Sequence, residues 1–511
     1  MRSLSGKELE LKLDLTPQEL QRVGAHPALE DLTVGKPVTR TLRSIYFDTP
    51  DHRLWARGIS LRLRAIGDKW VQTVKAGTRV KSGVSNPDEV EAAVAKPEPD
   101  LGAIGDPRVR RVIERAVKAS ALEPQFETIV TRTTRKLHSD KGDLELALDE
   151  GVVRCGASED KLCEAELELK AGSPECLLET ATVLFSAEPI RLAEASKAER
   201  GYNLALGRQA GSAAPSKAQR TALTGEETCG QALVSFVEAA ATQIALNRRA
   251  VLETDDPEGA HQMRVGLRRL RSALRAFRPL LDTPATRELA QHAREIGQSV
   301  GELRNADVLI ESIYAPVAGL RRGQPGFPEL REALAAHRSA KRTEARAAVC
   351  GEPWSKLQLY LALWPQTVRG HARLERPVRD FATSALARSW KKAAKRGPSL
   401  ATLVPEERHE MRKSLKAVRY TAEFFDSLYP PRKVGPFVKE LKRLQDVFGY
   451  MNDVAMAEGL AAISDTRCAD NREAQRAAGY ILGWHDVKAE CTWKEVTEAW
   501  HRLEKRPRFW S

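Results

Sequence analysis

The periodicity of this chain changes once, and that change most constrains what it can fold into. From Glu8 to about Lys170, charged and aliphatic residues alternate with period two. Examples are Glu8-Leu-Glu10-Leu-Lys12, Leu61-Arg62-Leu63-Arg64, Glu145-Leu-Ala147-Leu-Asp149 and Glu164-Ala-Glu166-Leu-Glu168-Leu-Lys170. Successive side chains of a strand point to opposite faces, so each stretch predicts a strand with one aliphatic and one charged face. Beyond about residue 225 the alternation is gone. Segments rich in Ala, Leu, Arg and Glu there repeat at three and four residues, broken at Arg322-Gly-Gln-Pro-Gly-Phe-Pro328 and Tyr429-Pro-Pro431, and that spacing predicts an all-α bundle. With 511 residues and a prior of about 150 per domain, two large units fit best.

An ordinary half-buried strand turns its polar face to open water. Several strands carrying both acids and bases on one face call for a different arrangement. If the sheet closes on itself, the leucines pack outward under helices and the charges line a hydrated lumen. Helical stretches near residues 16–25, 107–120 and 174–186 interrupt the sheet, so the first unit is expected to be of α+β type, and a closed antiparallel β-barrel is the arrangement in which these faces would be lined. From Gly207 to Thr224 the sequence turns to Gly, Ala, Ser, Pro and Lys, which reads as a linker. The expected domains are 1–207 and 225–511, joined by 208–224.

The helical part repeats itself. His261-x-Met263-Arg264-x-x-x-Arg268-x-x-Arg271 recurs 148 residues later as His409-x-Met411-Arg412-x-x-x-Lys416-x-x-Arg419. Asp307 of Arg304-Asn305-Ala-Asp307-Val308 is echoed 146 residues later by Asp453. Near-equal offsets at two landmarks predict a duplicated helical unit.

Charge is divided between the halves. Up to Gly207 there are 31 Lys and Arg against 33 Asp and Glu; beyond it there are 50 against 36. The whole basic excess lies in the helical half, which makes a polyanion its natural partner; nucleic acid, anionic membrane and polyphosphate all qualify on charge alone. Arg264, Arg268, Arg271 and Arg275 stand at i, i+4, i+7 and i+11, one stripe along a helix with His261 a turn earlier. Four arginines with no interleaved acid repel one another unless an anion lies along them. Few aromatics interleave with them, which disfavours nucleic acid as the partner. Seven cysteines without a C-x-x-C pair fit a reducing cytosol. With no apolar leader and no apolar run read as long enough to cross a bilayer, the expectation is a cytoplasmic protein without a membrane partner. Nothing in the sequence sets an oligomeric state.

In the first half, Glu8 and Glu10 on one strand face suit a hard cation such as Mg²⁺ or Mn²⁺, with Glu166 and Glu168 completing the set from another strand. Arg62, Arg64, Lys12 and Lys75 suit phosphate oxygens. One such strand alone would be an ordinary solvated strand; four with matched acids and bases favour a site.

The series Glu8-Leu-Glu10-Leu-Lys12, Tyr46-Phe-Asp48-Thr49, Leu61-Arg62-Leu-Arg64, Lys75, Glu89, Asp149-Glu-Gly151, Glu166-Leu-Glu168 and Ser196-Lys197-x-x-Arg200-Gly201-Tyr202, spread over residues 5 to 207, resembles the CYTH domain of the triphosphate tunnel metalloenzymes. The resemblance implies an eight-stranded antiparallel barrel, open as a tunnel, that binds a triphosphate with a divalent metal, Mg²⁺ or Mn²⁺, and hydrolyses or cyclises it. It further implies Glu8, Glu10, Glu166 and Glu168 as metal ligands, and Lys12, Arg62, Arg64, Lys75, Arg132 and Lys197 as phosphate contacts. Glu8, Glu10 and Lys12 would be catalytic. Arg135, in the same strand, competes with Arg132 for its role. Glu89, Glu91, Glu145 and Asp149 are either further acidic lining or polar filling. The family includes adenylate cyclases and thiamine triphosphatases; fusion to a basic helical domain resembles its inorganic triphosphatases.

The second half resembles the CHAD domain, a duplicated helical bundle, on His261-x-x-Arg264, Arg304-Asn305-Ala-Asp307-Val308, His409-x-x-Arg412, Arg419-Tyr420-x-x-Glu423 and Gln445-Asp446. That implies binding of long-chain polyphosphate by His261, Arg264, Arg268, Arg271 and Arg275 in one repeat and His409, Arg412, Lys416 and Arg419 in the other. The two histidines read equally as phosphate contacts or as buried packing residues. Asn305 stands where the family usually has Asp, which is expected to weaken a helix-fixing salt bridge. No nucleophile with an evident base appears here, so this half reads as a binding module. The chain as a whole reads as a metal-dependent inorganic triphosphatase acting on tripolyphosphate, with a polyphosphate-binding domain that would hold it at polyphosphate granules. Nucleoside triphosphate and thiamine triphosphate are the competing substrates. The alternative is a non-catalytic polyphosphate-binding or granule-associated protein whose tunnel only holds the chain end.

Overall fold

A computed structural model describes residues 9–67, 69–76, 83–85, 88–118, 120–187, 190–207 and 214–511. Glu8 and residues 208–213 of the expected linker therefore lie outside the described residues. The chain divides into two compact units, Met1–Ser212 with Trp354–Thr367, and Ala213–Pro353 with Val368–Ser511.

Among the described residues the first unit is built on one sheet of ten strands: β1 Leu9–Asp14, β2 Thr33–Asp48, β3 Ile59–Ile66, β4 Lys69–Ala76, β5 Val84–Ser85, β6 Asp88–Val94, β7 Glu123–Ser139, β8 Gly142–Cys155, β9 Ser158–Gly172 and β10 Arg191–Leu192. Their order is β10-β1-β9-β8-β7-β2-β3-β4-β6, with β5 also on β1, and every pairing is antiparallel. Ten strands replace the eight expected because two-residue β5 and β10 share one edge of β1, against Glu10–Leu11 and Leu13–Asp14. The four alternating stretches quoted from the sequence, from Leu9 on, lie in β1, β3, β8 and β9, and the eight longer strands equal in number those that the resemblance implies. The described ladders form a continuous sheet, and its closure into a barrel is not among the described pairings.

The aliphatic half of the alternation is buried, with Leu11, Leu13, Leu61, Leu63, Leu146 and Leu167 all fully inaccessible. Helices Pro17–Gly24, Pro107–Val117 and Pro174–Phe185 lie where expected, each with Pro in its first turn, where no donor is lost and φ is already helical. Ile113, Ala116 and Val117 of the second of these pack on Leu61, Leu63 and Val74. Helix Lys197–Ala205 starts at a capping box in which Ser196 and Glu199 satisfy each other's backbone N–H groups, fixing Lys197 at its first position.

This unit also includes helix Glu352–Thr367 from Trp354 on, a segment from the stretch assigned by sequence to the helical domain. Trp354, Leu357, Leu359, Leu363 and Trp364 are all buried, so the helix is apolar on every side, as a core helix is. Ile190 N–H donates to Ser355 Oγ at 3.3 Å, and Gln358 Nε2 donates to the Ile190 carbonyl at 3.3 Å.

The second unit is helical, and the duplication is explicit in it. Pro257–Phe277 and Pro405–Phe425 are both 21-residue helices, followed by Pro284–Val308 and Pro431–Met456. The repeats meet just before helices Cys229–Glu253 and Val378–Ala394. There Thr228 and Pro377 form an antiparallel bridge, with Cys229 N–H donating to Arg376 O at 2.8 Å and Val378 N–H to Glu227 O at 3.1 Å. Phe236, Phe277, Phe381, Phe424 and Phe425 form a common aromatic core with ring centroids 4.5 to 6.2 Å apart. Helix Cys229–Glu253 is long and apolar enough by length and composition to cross a membrane, a property the sequence reading missed; half of its apolar window is buried in the protein.

Candidate functional site

The sheet register places the charged residues on one face. In an antiparallel pair, residues directly opposite project to the same side. Glu10, Glu168 and Glu145 form one row across β1, β9 and β8; Lys12, Glu166 and Ala147 form the next; Asp14, Glu164 and Asp149 form the third. Asp149 faces Arg132 on β7, Arg132 faces Arg40 on β2, and further along Arg62 lies opposite Tyr46 and Thr73, and Lys75 opposite Glu89. Glu10, Lys12, Glu166, Glu168, Arg62, Arg64, Lys75 and Arg132 thus share a face. Arg135 is three residues from Arg132 and projects to the other side, where its Nη2 donates to Gly24 O at 3.1 Å. Of the two, Arg132 is the one on the charged face.

Acids and bases on this face are closely paired. Lys12 Nζ lies 2.5 Å from Glu166 and 3.0 Å from Glu10. Lys197 Nζ lies 2.9 Å from both Asp149 and Glu166 and also donates to Glu164. Arg132 grips Asp149 with two hydrogen bonds of 2.7 and 2.6 Å and reaches Glu166 at 2.5 Å. Burial opposes charge on Glu166, yet Arg132, Lys12 and Lys197 hold its carboxyl well below the usual range. Burial likewise opposes charge on Lys197, and Asp149, Glu164 and Glu166 overcome it.

Two carboxylate groups bear on metal binding. Asp149, Glu164 and Glu166 have ligand atoms within 4.8 Å of one another and are all buried, but the Lys197 ammonium and the Arg132 guanidinium already compensate them. Glu164 Oε1 alone in this group is buried without a hydrogen-bond partner. The row Glu10–Glu168–Glu145 is different. Like charges directly opposite one another are unfavourable, and among the described residues this row has Lys12 on Glu10 and Lys170 on Glu168 at 2.6 Å, with Glu145 at 4.0 Å from Lys170. Burial first, then Glu10 and Glu145, push the Glu168 carboxyl up. Oxygen donors short of positive charge fit a hard divalent cation, so the residues present fit the implied metal better in this row than in the tighter cluster.

The far side of the face is cationic. Burial disfavours the Arg62 charge, but Tyr46 and Glu89 keep its pKa above the usual value; Glu89 sits 3.7 Å from Arg62 and 2.6 Å from Lys75. Arg64 donates to Ser44 Oγ at 3.2 Å, and neighbouring Arg62, then burial, push it down to about 10. Arg62 Nε is buried without a partner. An anion on this side would relieve both conditions.

In the helical unit the arginine stripe is not one surface. Arg264 donates to Asn305 Oδ1 at 2.9 Å and to Gly301 O at 3.3 Å. The amide thus fixes the helix as a carboxylate would, without adding a negative charge beside the guanidinium. Arg268 donates to the Tyr420 hydroxyl of the other repeat. Asp453 attracts Arg264, Arg412 and Lys416, and Arg268 repels all three: burial, then Arg268, Arg412 and Arg264, push the Lys416 amine down to about 6. Burial drives Arg412 down to about 10 despite Asp453, and its Nε is buried without a partner. Arg419 points elsewhere, bonded to Glu423 at 2.7 Å and Gln445 at 3.3 Å. His409 is exposed and His261 half-buried, so His409 is not a buried packing residue. Burial and nearby arginines lower the His261 pKa.

Residues 6–202 match the family model of the CYTH domain, and residues 235–462 match that of the CHAD domain. The chain carries a CYTH domain followed by a CHAD domain. An inorganic triphosphatase of Haemophilus influenzae is 29% identical over 208 residues, 40% of this chain, and the chain spans only 56% of that relative's length. An uncharacterized protein of Mycobacterium tuberculosis is 25% identical over 463 residues, 81% of this chain and 82% of its own. The crystal structure of the CHAD domain from the plant Ricinus communis superposes with a TM-score of 0.52 at 28% identity, covering 58% of this chain and 99% of that one.

Several residues of the CYTH face were not singled out as site residues by sequence. Glu164 anchors Lys197, and Asp14, beside it in the third row, is pushed up to about 6 by burial and then by Glu164. The visible signal was the register: Asp14 continues the alternation of Glu10 and Lys12. Asp48 of the Tyr-Phe-Asp-Thr motif is structural. It is fully buried and accepts from Thr49, Leu54 and Trp55 N–H and from the Tyr202 hydroxyl, at 2.7 to 2.9 Å.

Proposed function

We propose that the CYTH domain is a metal-dependent inorganic triphosphatase acting on tripolyphosphate, and that the CHAD domain binds long-chain polyphosphate. The observation that carries this reading is the polar face of the sheet, which holds both an under-compensated carboxylate row on β1, β9 and β8 and the half-buried Arg62 and Arg64. A divalent cation, Mg²⁺ or Mn²⁺, held by Glu10 and Glu168 with Glu8, would supply charge neutralisation at phosphate oxygens. Arg62, Arg64 and Lys75 would hold the remaining phosphates by charge-assisted hydrogen bonds and keep the chain in line for displacement. Lys12 and Lys197, locked against Glu166, act as fixed positive charge that orders the face. The similarity to the Haemophilus influenzae inorganic triphosphatase supports tripolyphosphate over nucleotide. In the CHAD domain, Arg264, Arg268, Arg412 and Lys416 come from both repeats and repel one another, with Asp453 attracting three of them, and an anionic chain would relieve that repulsion. A cytoplasmic location, at polyphosphate granules, follows from this reading.

The test is phosphate release from tripolyphosphate, ATP and thiamine triphosphate with Mg²⁺, Mn²⁺ or a chelator, using the intact protein and a Glu8→Ala, Glu10→Ala double variant. Release from tripolyphosphate that needs metal and disappears in the variant is expected. Absence of release from every substrate would leave the non-catalytic binding role.

A further inference from the structure

The CHAD stripe divides after Arg268. Arg271 and Arg275 leave the inter-repeat cluster and line a cavity of about 300 Å³ between helices Pro257–Phe277 and Pro284–Val308, together with Arg278, Arg287 and Arg294. Five arginines face it with one carboxylate, Asp282, which lies 3.4 Å from Arg278 and 3.9 Å from Arg287. Among the described residues, Arg271, Arg275 and Arg294 have no ion-pair partner; Arg271 is half-buried and repelled by the exposed Arg275 and Arg294.

The duplication provides an internal control. At the offset of 148 residues, Arg271, Arg275 and Arg278 correspond to Arg419, Glu423 and Asp426. In the second repeat Glu423 takes Arg419 at 2.7 Å and Asp426 takes Arg220 at 2.9 Å. The second repeat is thus neutralised by its own carboxylates, whereas the first keeps three uncompensated guanidinium groups around a hollow. A purely solvated basic face gives no reason for charges to converge on a cavity; planar guanidinium forks arranged around a recess suit phosphate oxygens.

From this geometry we infer that the first CHAD repeat alone holds a second anion site, built on Arg271, Arg275 and Arg294, that takes a short run of phosphoryl groups independently of the inter-repeat cluster. Its volume is at the small end of ligand pockets, about 300 to 1,000 Å³, which suits a compact oligophosphate or the end of a longer chain. The inference deepens the polyphosphate reading of this domain and rests on that reading only for the chain-end source.

The test uses the full-length protein and arginine-selective modification by phenylglyoxal, read at each arginine by peptide mass spectrometry, with pyrophosphate, tripolyphosphate or long-chain polyphosphate as the probe. Modification of Arg271, Arg275 and Arg294 should slow roughly tenfold with ligand at about ten times its Kd. The protection should persist in an Arg264→Gln, Arg412→Gln variant that melts like the intact protein. Protection by pyrophosphate or tripolyphosphate marks a free oligophosphate; protection by the long chain alone, retained in the variant, marks the chain end. No protection by any probe, or protection lost in that variant, would overturn the second site. Failure of long polyphosphate to protect Arg264 and Arg412 would count against the inter-repeat reading and leave the second site standing if tripolyphosphate protects it.

Discussion

Lys197→Met removes one ammonium from the most heavily charged part of the CYTH sheet. Lys197 sits 2.9 Å from Asp149 and Glu166 and donates to Glu164, which is 1% exposed. Arg132 would still compensate Asp149 and Glu166, but Glu164 would retain only Arg200 at 3.7 Å among its described ion pairs. Stranding a buried charge by removing its partner costs about 3–5 kcal/mol. For a unit of this size, each kcal/mol is worth about 2–4 °C, so the transition of the N-terminal unit should fall by roughly 6–20 °C at pH 7. The pH dependence follows from linkage. In the intact protein Glu166 and Asp149 are held below their ordinary values of 4.5 and 3.8, so their stabilisation is fully present above those values and is lost as pH falls through the depressed folded values. Without the ammonium less of that stabilisation is there to lose, so the gap between variant and intact protein should narrow as the pH falls from 7 to about 4. Calorimetry or circular dichroism of the full-length chain at both pH values measures it. A variant that melts with the intact protein at pH 7, or a gap that widens on acidification, would refute the assignment of Lys197 as the counter-ion of this cluster.

Tyr202→Phe should cost about 1.5–3 kcal/mol, the worth of a hydrogen bond to a buried charge, because Asp48 loses a donor at 2.9 Å; urea unfolding measures this, and unchanged stability would contradict it. On the polyphosphate reading, the Lys416 amine, driven down to about 6 by burial and three arginines, is mostly neutral at pH 7.5 and gains a proton when an anion binds. Affinity should therefore rise from pH 7.5 towards pH 6, with proton uptake seen by calorimetry in buffers of different ionisation enthalpy; binding without uptake would contradict it. Binding of long-chain polyphosphate by the full chain should also weaken steeply with salt and exceed binding to DNA of matched charge, and equal affinity for both would count against the specific reading.

Much of this was legible in the sequence because it follows from period. The alternation predicts which residues share the charged face, and in the structure Glu10, Lys12, Glu166, Glu168, Arg62, Arg64, Lys75 and Arg132 share it through continuous register. The 148-residue repeat recovers two helices of equal length. What period cannot supply is which strands are neighbours. The joining of Lys197 to Asp149, Glu164 and Glu166 depends on β8 and β9 pairing beneath a helix start, and so was not read as one cluster. Gly201 is explained only in three dimensions: a Cβ there would lie 2.0 Å from the Phe126 ring. Arg419 was grouped with the polyphosphate stripe although Glu423 stands four residues on, the spacing at which helical ion pairs form; that signal was present and outweighed by the repeat. The grouping of helix Glu352–Thr367 with the first unit had no local signal, since an apolar segment does not show which core it enters.

The central claim is that the charged face of the CYTH sheet hydrolyses tripolyphosphate with a divalent cation. Phosphorus NMR of tripolyphosphate with Mg²⁺, in the presence of the intact chain and of a Glu10→Gln, Glu168→Gln variant, tests it most directly. The account predicts that the intact chain converts tripolyphosphate to pyrophosphate and orthophosphate in equal amounts, and that the variant, folded and melting as the intact protein does, leaves it unchanged. Unaltered tripolyphosphate with the intact chain, or equal conversion by the variant, would contradict it.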